Sequence, residues 1–441
     1  MSRPAIVLAH VYGERFELPI PLYLFVIGGV SVVVVSFLLV IRSSAEVPPA
    51  VEAPDTVPAP DLNPVAALVS IALFAAIALI GLTGTQDITN NLAPLFFWIL
   101  VWIAVPLSCG VLGDWTRPVN PFGVLARLGD SERLRKTVLA RRSPLVWSFR
   151  WWPSLVLFSL LVLAELVFNQ TTVKPSFVGV LLLLYGVASF FLGMLYGPAW
   201  REHGEVFSAL WNAWGRLGYR RFGAPGRPGF AGGLDVPFEA SISRVVFVLL
   251  LLVSINFDGL LNTPQWGRFE LRTYGASTGE IEVFRSLALG VLVLIVLSVF
   301  LAFAYGATRA GHHQDKPFQA LAGLLPSLVP IAFGYLLAHN LQYLMIHLQS
   351  LYPLVKNPGY GTPSTFEANI NVLPARVNWY VSLVVIVAVH VIAVILAHRY
   401  LVRSAPDESS ARRSEYPWLL AMVLYTAFSL VLIALPLASN A

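Results

Sequence analysis

Ten apolar runs, at about 21–41, 65–84, 92–112, 147–168, 176–198, 240–258, 284–306, 319–348, 378–401 and 417–437, constrain this chain more than any other feature. Each is about as long as a helix needs to cross roughly 30 Å of hydrocarbon, which is about 20 residues. Hydrophobic residues make up 57% of the 441 and charged residues 12%, with a mean hydropathy of +0.72. A soluble globule carries about twice that share of charge, so the chain reads as an integral membrane protein. Backbone groups in lipid must pair internally, and these runs are continuous rather than alternating. The expected fold is therefore all-α, a polytopic transmembrane helical bundle of about ten spans, and not a barrel.

Basic residues orient it. The segments "RLGDSERLRKTVLARR" (127–142), "RLGYRRFGAPGR" (216–227), "RAGHHQDK" (309–316) and "RYLVRSAPDESSARR" (399–413) all join spans on the same side. Of the 29 Lys and Arg, 21 fall on that side, leaving 8 on the other. The positive-inside bias makes that side cytoplasmic and both termini external (N-out/C-out), in the inner membrane of a bacterium. A net charge of +5 then reflects topology and contact with anionic lipid, and no nucleic-acid partner is expected. Residues 1–441 read as a single membrane domain with a 20-residue external N-terminal segment. The first apolar run is expected to be retained, because it follows Glu14, Arg15 and Glu17 and lacks a small-x-small cleavage site. The Pro-rich stretch 43–64 reads as a cytoplasmic linker with no packed structure of its own.

The segment "PAWREHGEVFSALWNAWGRLGYRRFG" (198–223) reads as an interfacial amphipathic helix. Phe207, Leu210, Trp211, Trp214 and Leu217 form its apolar face, and Arg216, Arg220 and Arg221 point toward headgroups. His203 and Glu205 read as a surface pair, and Asp114 as a helix cap. Cys109 is the only cysteine, which rules out an intrachain disulfide or a thiolate cluster from this chain alone. Phosphate-binding loops, G-x-G-x-x-G, C-x-x-C-H and H-E-x-x-H are missing from the sequence, so ATP-driven pumping and c-type haem attachment have no foothold.

Ionisable groups inside spans are costly enough to be functional candidates. The eighth run carries His339 in its outer half and His347 at its outer end. The ninth carries His390 near mid-membrane and His398 at the cytoplasmic edge. Asp258 and Glu165 sit where the sixth and fourth runs exit, and His10 precedes the first, all on the outer side. Eight-residue spacing puts the two histidines of each pair about 12 Å apart along the helix, too far to chelate one ion, so a shared site must form across helices. His339 and His390 match best in depth. They are expected to converge with Asp258 or Glu165, while His10 and His347 are outer candidates for the same donor set. A structural role for each stays open, since a buried His often only bonds a carbonyl or hydroxyl on the next helix.

In order along the chain, "LAHVYGERFELPIPLYLF", "GDWTRPVNPFGVLARL", "WREHGEVFSALW", "FVLLLLVSINFDGLLNTPQW", "LVPIAFGYLLAHNLQYLMIHLQ", "WYVSLVVIVAVHVIAVILAHRYLV" and "YPWLLAMVLYTAFSLVLIALP" resemble successive blocks of bacterial integral membrane proteins labelled fenitrothion hydrolase. The resemblance runs from about residue 8 to residue 436. It implies hydrolysis of a phosphotriester, although most members carry the label by similarity, so it bears on fold more than on function. The residues matching its polar pattern are His10, Asp114, His203, Glu205, Asp258, His339, His390 and His398. His347 and Arg399 depart from it.

Three functions follow as alternatives. A metal-dependent enzyme would use His339 and His390, with His347 and His10 as further donors, to hold a divalent transition metal. Asp258 and Glu165 would serve as catalytic carboxylates. A redox subunit linked to quinone would use His339 and His390 as axial ligands of haem b. A transport subunit, or an anchor for a periplasmic or membrane partner subunit, would use the polar layer as a substrate or proton path.

Overall fold

The computed structural model describes residues 22–41, 47–51, 63–275, 277–362 and 365–438. His10, with the rest of the expected external segment, and most of the 43–64 linker lie outside the described residues. All ten apolar runs form helices, and no strand occurs among the described residues. The helices are α1 (Leu22–Ile41), α2 (Pro64–Thr83), α3 (Leu92–Leu112), α4 (Pro121–Gly129), α5 (Glu132–Leu139), α6 (Trp152–Leu166), α7 (Pro175–Tyr196), α8 (Val206–Gly215), α9 (Ile242–Leu261), α10 (Pro264–Tyr274), α11 (Thr278–Ala310), α12 (Pro317–Leu348), α13 (Ala375–Ser404) and α14 (Glu408–Ala438). Eight are long and apolar enough to cross a membrane, and the apolar stretches Val26–Val40 and Trp152–Leu166 are shorter.

Start signals in the sequence account for several boundaries. Asn63 caps α2 by accepting from the Val65 and Ala66 amides, Pro64 takes the first helical position, and Asn120 with Pro121 repeats this at α4. The cap expected of Asp114 is thus made by Asn120. Asp114 is buried instead and accepts from the Thr116 hydroxyl at 2.6 Å.

Helices α9 and α12 are the most buried of the spanning-length elements, and α2 and α11 the least. α12 packs along α13, and α9 lies against α12, α11 and α6, while α1 covers α13 and α14. On the other flank α7 packs on α2 and α4. Outward rows such as Leu183, Leu184, Val187 and Phe191 on α7, and Leu287, Val291, Leu294 and Ile295 on α11, are exposed. Apolar faces of that size need an apolar solvent, and lipid is the one that fits.

Three of the basic segments, 216–227, 309–316 and 399–413, meet at one end of the bundle. Buried Asp235 receives Arg227 at 3.1 Å, Arg399 at 3.2 Å and Arg403 at 3.5 Å. The Pro48 carbonyl accepts from Arg403 at 2.6 Å, so the described part of the linker is held against this cluster rather than loose. Tyr400 reaches Asp315 at 2.9 Å and His313 reaches Ser404 at 3.0 Å, which brings in the 309–316 loop.

Segment 198–223 differs from the amphipathic surface helix read from its pattern. α8 is buried on nearly every side, including Val206, Ala209, Ala213 and Gly215 opposite the aromatic face. Small residues on its second face let α3, α6 and α12 close over it, a fit that periodicity alone does not reveal. Glu205 is likewise no surface residue. It is fully buried as the cap of α8, accepting from the Ser208 amide at 2.7 Å, Asn120 Nδ2 at 2.7 Å and the Tyr185 hydroxyl at 2.7 Å. Four donors, counting the Phe207 amide at 3.1 Å, satisfy its carboxylate, and its role is structural.

Candidate functional site

Asp258 sits one turn before the end of α9, where α9 meets α12. Its Oδ2 lies 2.5 Å from His339 Nε2, and its Oδ1 accepts from Asn262 Nδ2 at 3.1 Å. Asn262 is four residues on and shares the helix face. Asp258 is 5% exposed, and a carboxylate so placed needs such partners because burial without them is costly.

A cavity of about 50 Å³ adjoins this pair. Glu165 from the end of α6 lines it together with Asp258, His339 and Asn340, and Trp102, Pro106 and Trp214 close its sides. Its volume is several times the roughly 10–15 Å³ that one water needs, so a few waters fit. The backbone of α3 is π-helical over Leu95–Ala104, with the Val105 amide reaching back five residues to the Leu100 carbonyl. Pro106 lacks an N–H for the Trp102 carbonyl one α-helical turn back, which favours this wider winding. The wall carrying Trp102 and Pro106 is therefore set by a local feature of the sequence.

His390 is not in this cavity. Its Nδ1 lies 2.7 Å from the Ile386 carbonyl and its Nε2 2.8 Å from the Thr426 hydroxyl on α14, with 1% of the residue exposed. A carbonyl only accepts, so Nδ1 carries a proton. The Thr426 hydroxyl also lies 2.6 Å from the Met422 carbonyl. It has one proton to donate, so it serves either Met422 or an unprotonated Nε2. Tyr335, one turn before His339, stands edge-on to the His390 ring at 6.2 Å, and its hydroxyl points to the Thr426 carbonyl at 3.4 Å.

At the basic end, His398 Nδ1 lies 2.6 Å from Glu415 Oε1. Glu415 is fully buried and its Oε2 has no hydrogen-bond partner among the described residues. Sequence reasoning left His398 near water and gave Glu415 no role. The signal was an acidic residue abutting an apolar run in "RRSEYPWLLAM", and α14 begins early enough to place it two turns inside the helix. His347, near the end of α12, is partly buried with its ring 4.3 Å from that of Tyr343. The structure thus brings together Asp258, Glu165 and His339, and sets His390 and His347 apart from them.

Neither expected cofactor site forms among the described residues, which leave out the expected donor His10. Among the described residues no three His, Cys, Asp or Glu side chains are grouped so as to hold a metal ion. An axial haem ligand needs a ring nitrogen free to face iron, and both nitrogens of His390 are engaged within the bundle. No protein-family model, curated protein or solved structure matches the chain.

Proposed function

We propose that the chain is a proton-conducting component of a membrane transport system, with ten crossings, both termini external and the basic end in the cytoplasm. The observation that carries this is the Glu165, Asp258 and His339 trio around a cavity of water size. Along α12, α13 and α14 the trio is followed by Tyr335 with His390 and Thr426, and then by His398 with Glu415. Protonatable groups in the interior of a helical bundle, each next to an acceptor on another helix, are what a proton relay requires. The rotatable Thr426 hydroxyl gives the middle station two states, and waters fill the remaining gaps. Orientation rests on the excess of Lys and Arg in the segments on that side, two of which, 216–227 and 399–413, cluster about Asp235. A bacterial inner membrane suits this reading, because a gradient to drive the relay exists there.

A metal-dependent phosphotriester hydrolase has less support, since the donors do not group among the described residues. The test is proton flux into vesicles reconstituted with the full chain and loaded with a pH-sensitive dye. Flux should exceed that of empty vesicles, fall at least tenfold in Asp258→Asn and His339→Ala, and persist in His347→Ala. Flux no greater than in empty vesicles sinks the proposal. Stoichiometric metal that disappears in His339→Ala would return the site to the hydrolase reading.

A further inference from the structure

At the opposite end of α9 from Asp258 lies a second cavity, about 260 Å³, between α4, α8, the first turn of α9 and the loops around them. Five arginines line it, Arg117, Arg127, Arg201, Arg216 and Arg244, against the three carboxylates of Asp114, Glu202 and Glu239. Some of these charges are already matched. Arg201 pairs with Asp130 at 3.1 Å, and Glu239 accepts from Trp151 Nε1 at 2.8 Å and faces Arg150 at 3.7 Å.

Two arginines have no carboxylate within ion-pair distance among the described residues. Arg244, in the first turn of α9, is 3% exposed and has no ion pair among the described residues. Its guanidinium lies over the Trp151 ring at 3.6 Å and near Phe238 at 5.0 Å, and its Nη1 has no hydrogen-bond partner. Arg216 follows α8 and sits over Phe238 at 4.1 Å. Its Nη2 donates to the Val236 carbonyl at 3.0 Å, and its Nη1 is buried without a partner among the described residues. His203 Nδ1 is also unpartnered, beside Trp151 in the same lining. Ring faces offset part of the cost of burying a guanidinium, but they accept none of its hydrogen bonds. Burial and the nearby Arg221 push Arg216 down to about 10, which leaves it cationic at neutral pH.

We propose that this cavity binds a phosphate group, with Arg216 and Arg244 donating through Nη1 and His203 as a third contact. Two planar guanidinium forks match the several acceptor oxygens of a tetrahedral anion. The aromatic wall of Trp151 and Phe238 and the volume beyond a single anion suit an esterified phosphate. The group comes either from a soluble phosphate compound or from a phospholipid headgroup of the leaflet bordering the basic end. This inference stands apart from the proton relay, because it uses none of the same side chains.

The test is native mass spectrometry and equilibrium binding on the full chain in uncharged detergent. The probes are inorganic phosphate, glycerol 3-phosphate and short-chain phosphatidylglycerol, with glycerol as the uncharged control. Wild-type protein should bind at least one phosphate-bearing probe saturably, and Arg216→Gln and Arg244→Gln should weaken it by about tenfold to a hundredfold. Arg244→Lys keeps the charge and loses the fork, so it serves where the glutamine variant fails to fold, and it should weaken binding by a smaller factor. Phosphatidylglycerol displacing the soluble probes assigns the headgroup source, and the reverse order assigns a soluble ligand. No saturable binding by the wild type, or equal binding by wild type and Arg216→Gln, overturns the proposal.

Discussion

His339 Nε2 and Asp258 Oδ2, 2.5 Å apart, tie the two most buried spanning-length helices together at one end of the bundle. A link between α9 and α12 that also lines a water-sized cavity serves both packing and protonation. Removing one partner strands the other, so Asp258→Asn and His339→Ala should each lower the melting temperature in detergent. The double variant should be more stable than the sum of the two losses implies, with an interaction of roughly 1–3 kcal/mol. Strict additivity in a thermal-melt cycle would show that the pair does not couple.

The pair at the other end should respond asymmetrically. His398→Ala leaves a fully buried Glu415 without its donor, and breaking a buried pair this way costs about 3–5 kcal/mol. Glu415→Gln keeps a neutral hydrogen-bonding group and should cost far less. Urea or thermal unfolding of both variants reads the order directly, and equal losses would place the cost in packing rather than charge.

Close approach of α4 and α7 depends on Gly193. A Cβ there would strike the Ala126 carbonyl oxygen and Cα, which are backbone atoms that cannot rotate away. Gly193→Ala should force the helices apart and lower stability by roughly 1–3 kcal/mol. Gly290→Ala on α11, where a new Cβ meets nothing within 4 Å, should be silent by the same melting assay.

Asp114 lies outside the spanning helices and supplies a pH test. Burial pushes its carboxyl up to about 6 from the usual 3.8, opposed by hydrogen bonds from Thr116 and Asn212 and by the charge of Arg117. Between about pH 4 and pH 6 the folded state holds a proton that the unfolded state has lost, so its contribution to stability falls as pH rises across that window and then levels off. Two pK units correspond to about 3 kcal/mol. Asp114→Asn should remove this slope, giving a smaller difference between melting temperatures at pH 4.5 and 7.5 than the wild type shows. An unchanged difference would mean that Asp114 is ionised at no cost.

Legibility in the sequence followed the range of the forces involved. Transfer of about 20 apolar residues into hydrocarbon is a local property, so the helices over 64–83, 175–196 and 242–261 could be read directly from composition and from caps such as Asn63. The expected joining of Asp258 and Glu165 with His339 followed from depth, because rise per residue and chain direction are one-dimensional quantities. Which way a side chain faces around its helix is not. His390 matched His339 in depth and still turned to Thr426, because the α13–α14 packing offered a hydroxyl at 2.8 Å. Val206–Gly215 looked amphipathic and became buried on both faces once α3, α6 and α12 closed over its small residues. Arg216 and Arg244 lie 28 positions apart, and only tertiary packing puts both against Phe238 and around one cavity. The sequence by itself determined which segments are helical and which polar groups lie inside them. The pairing of those groups was decided by the rotation and contact of neighbouring helices, which no single helix encodes.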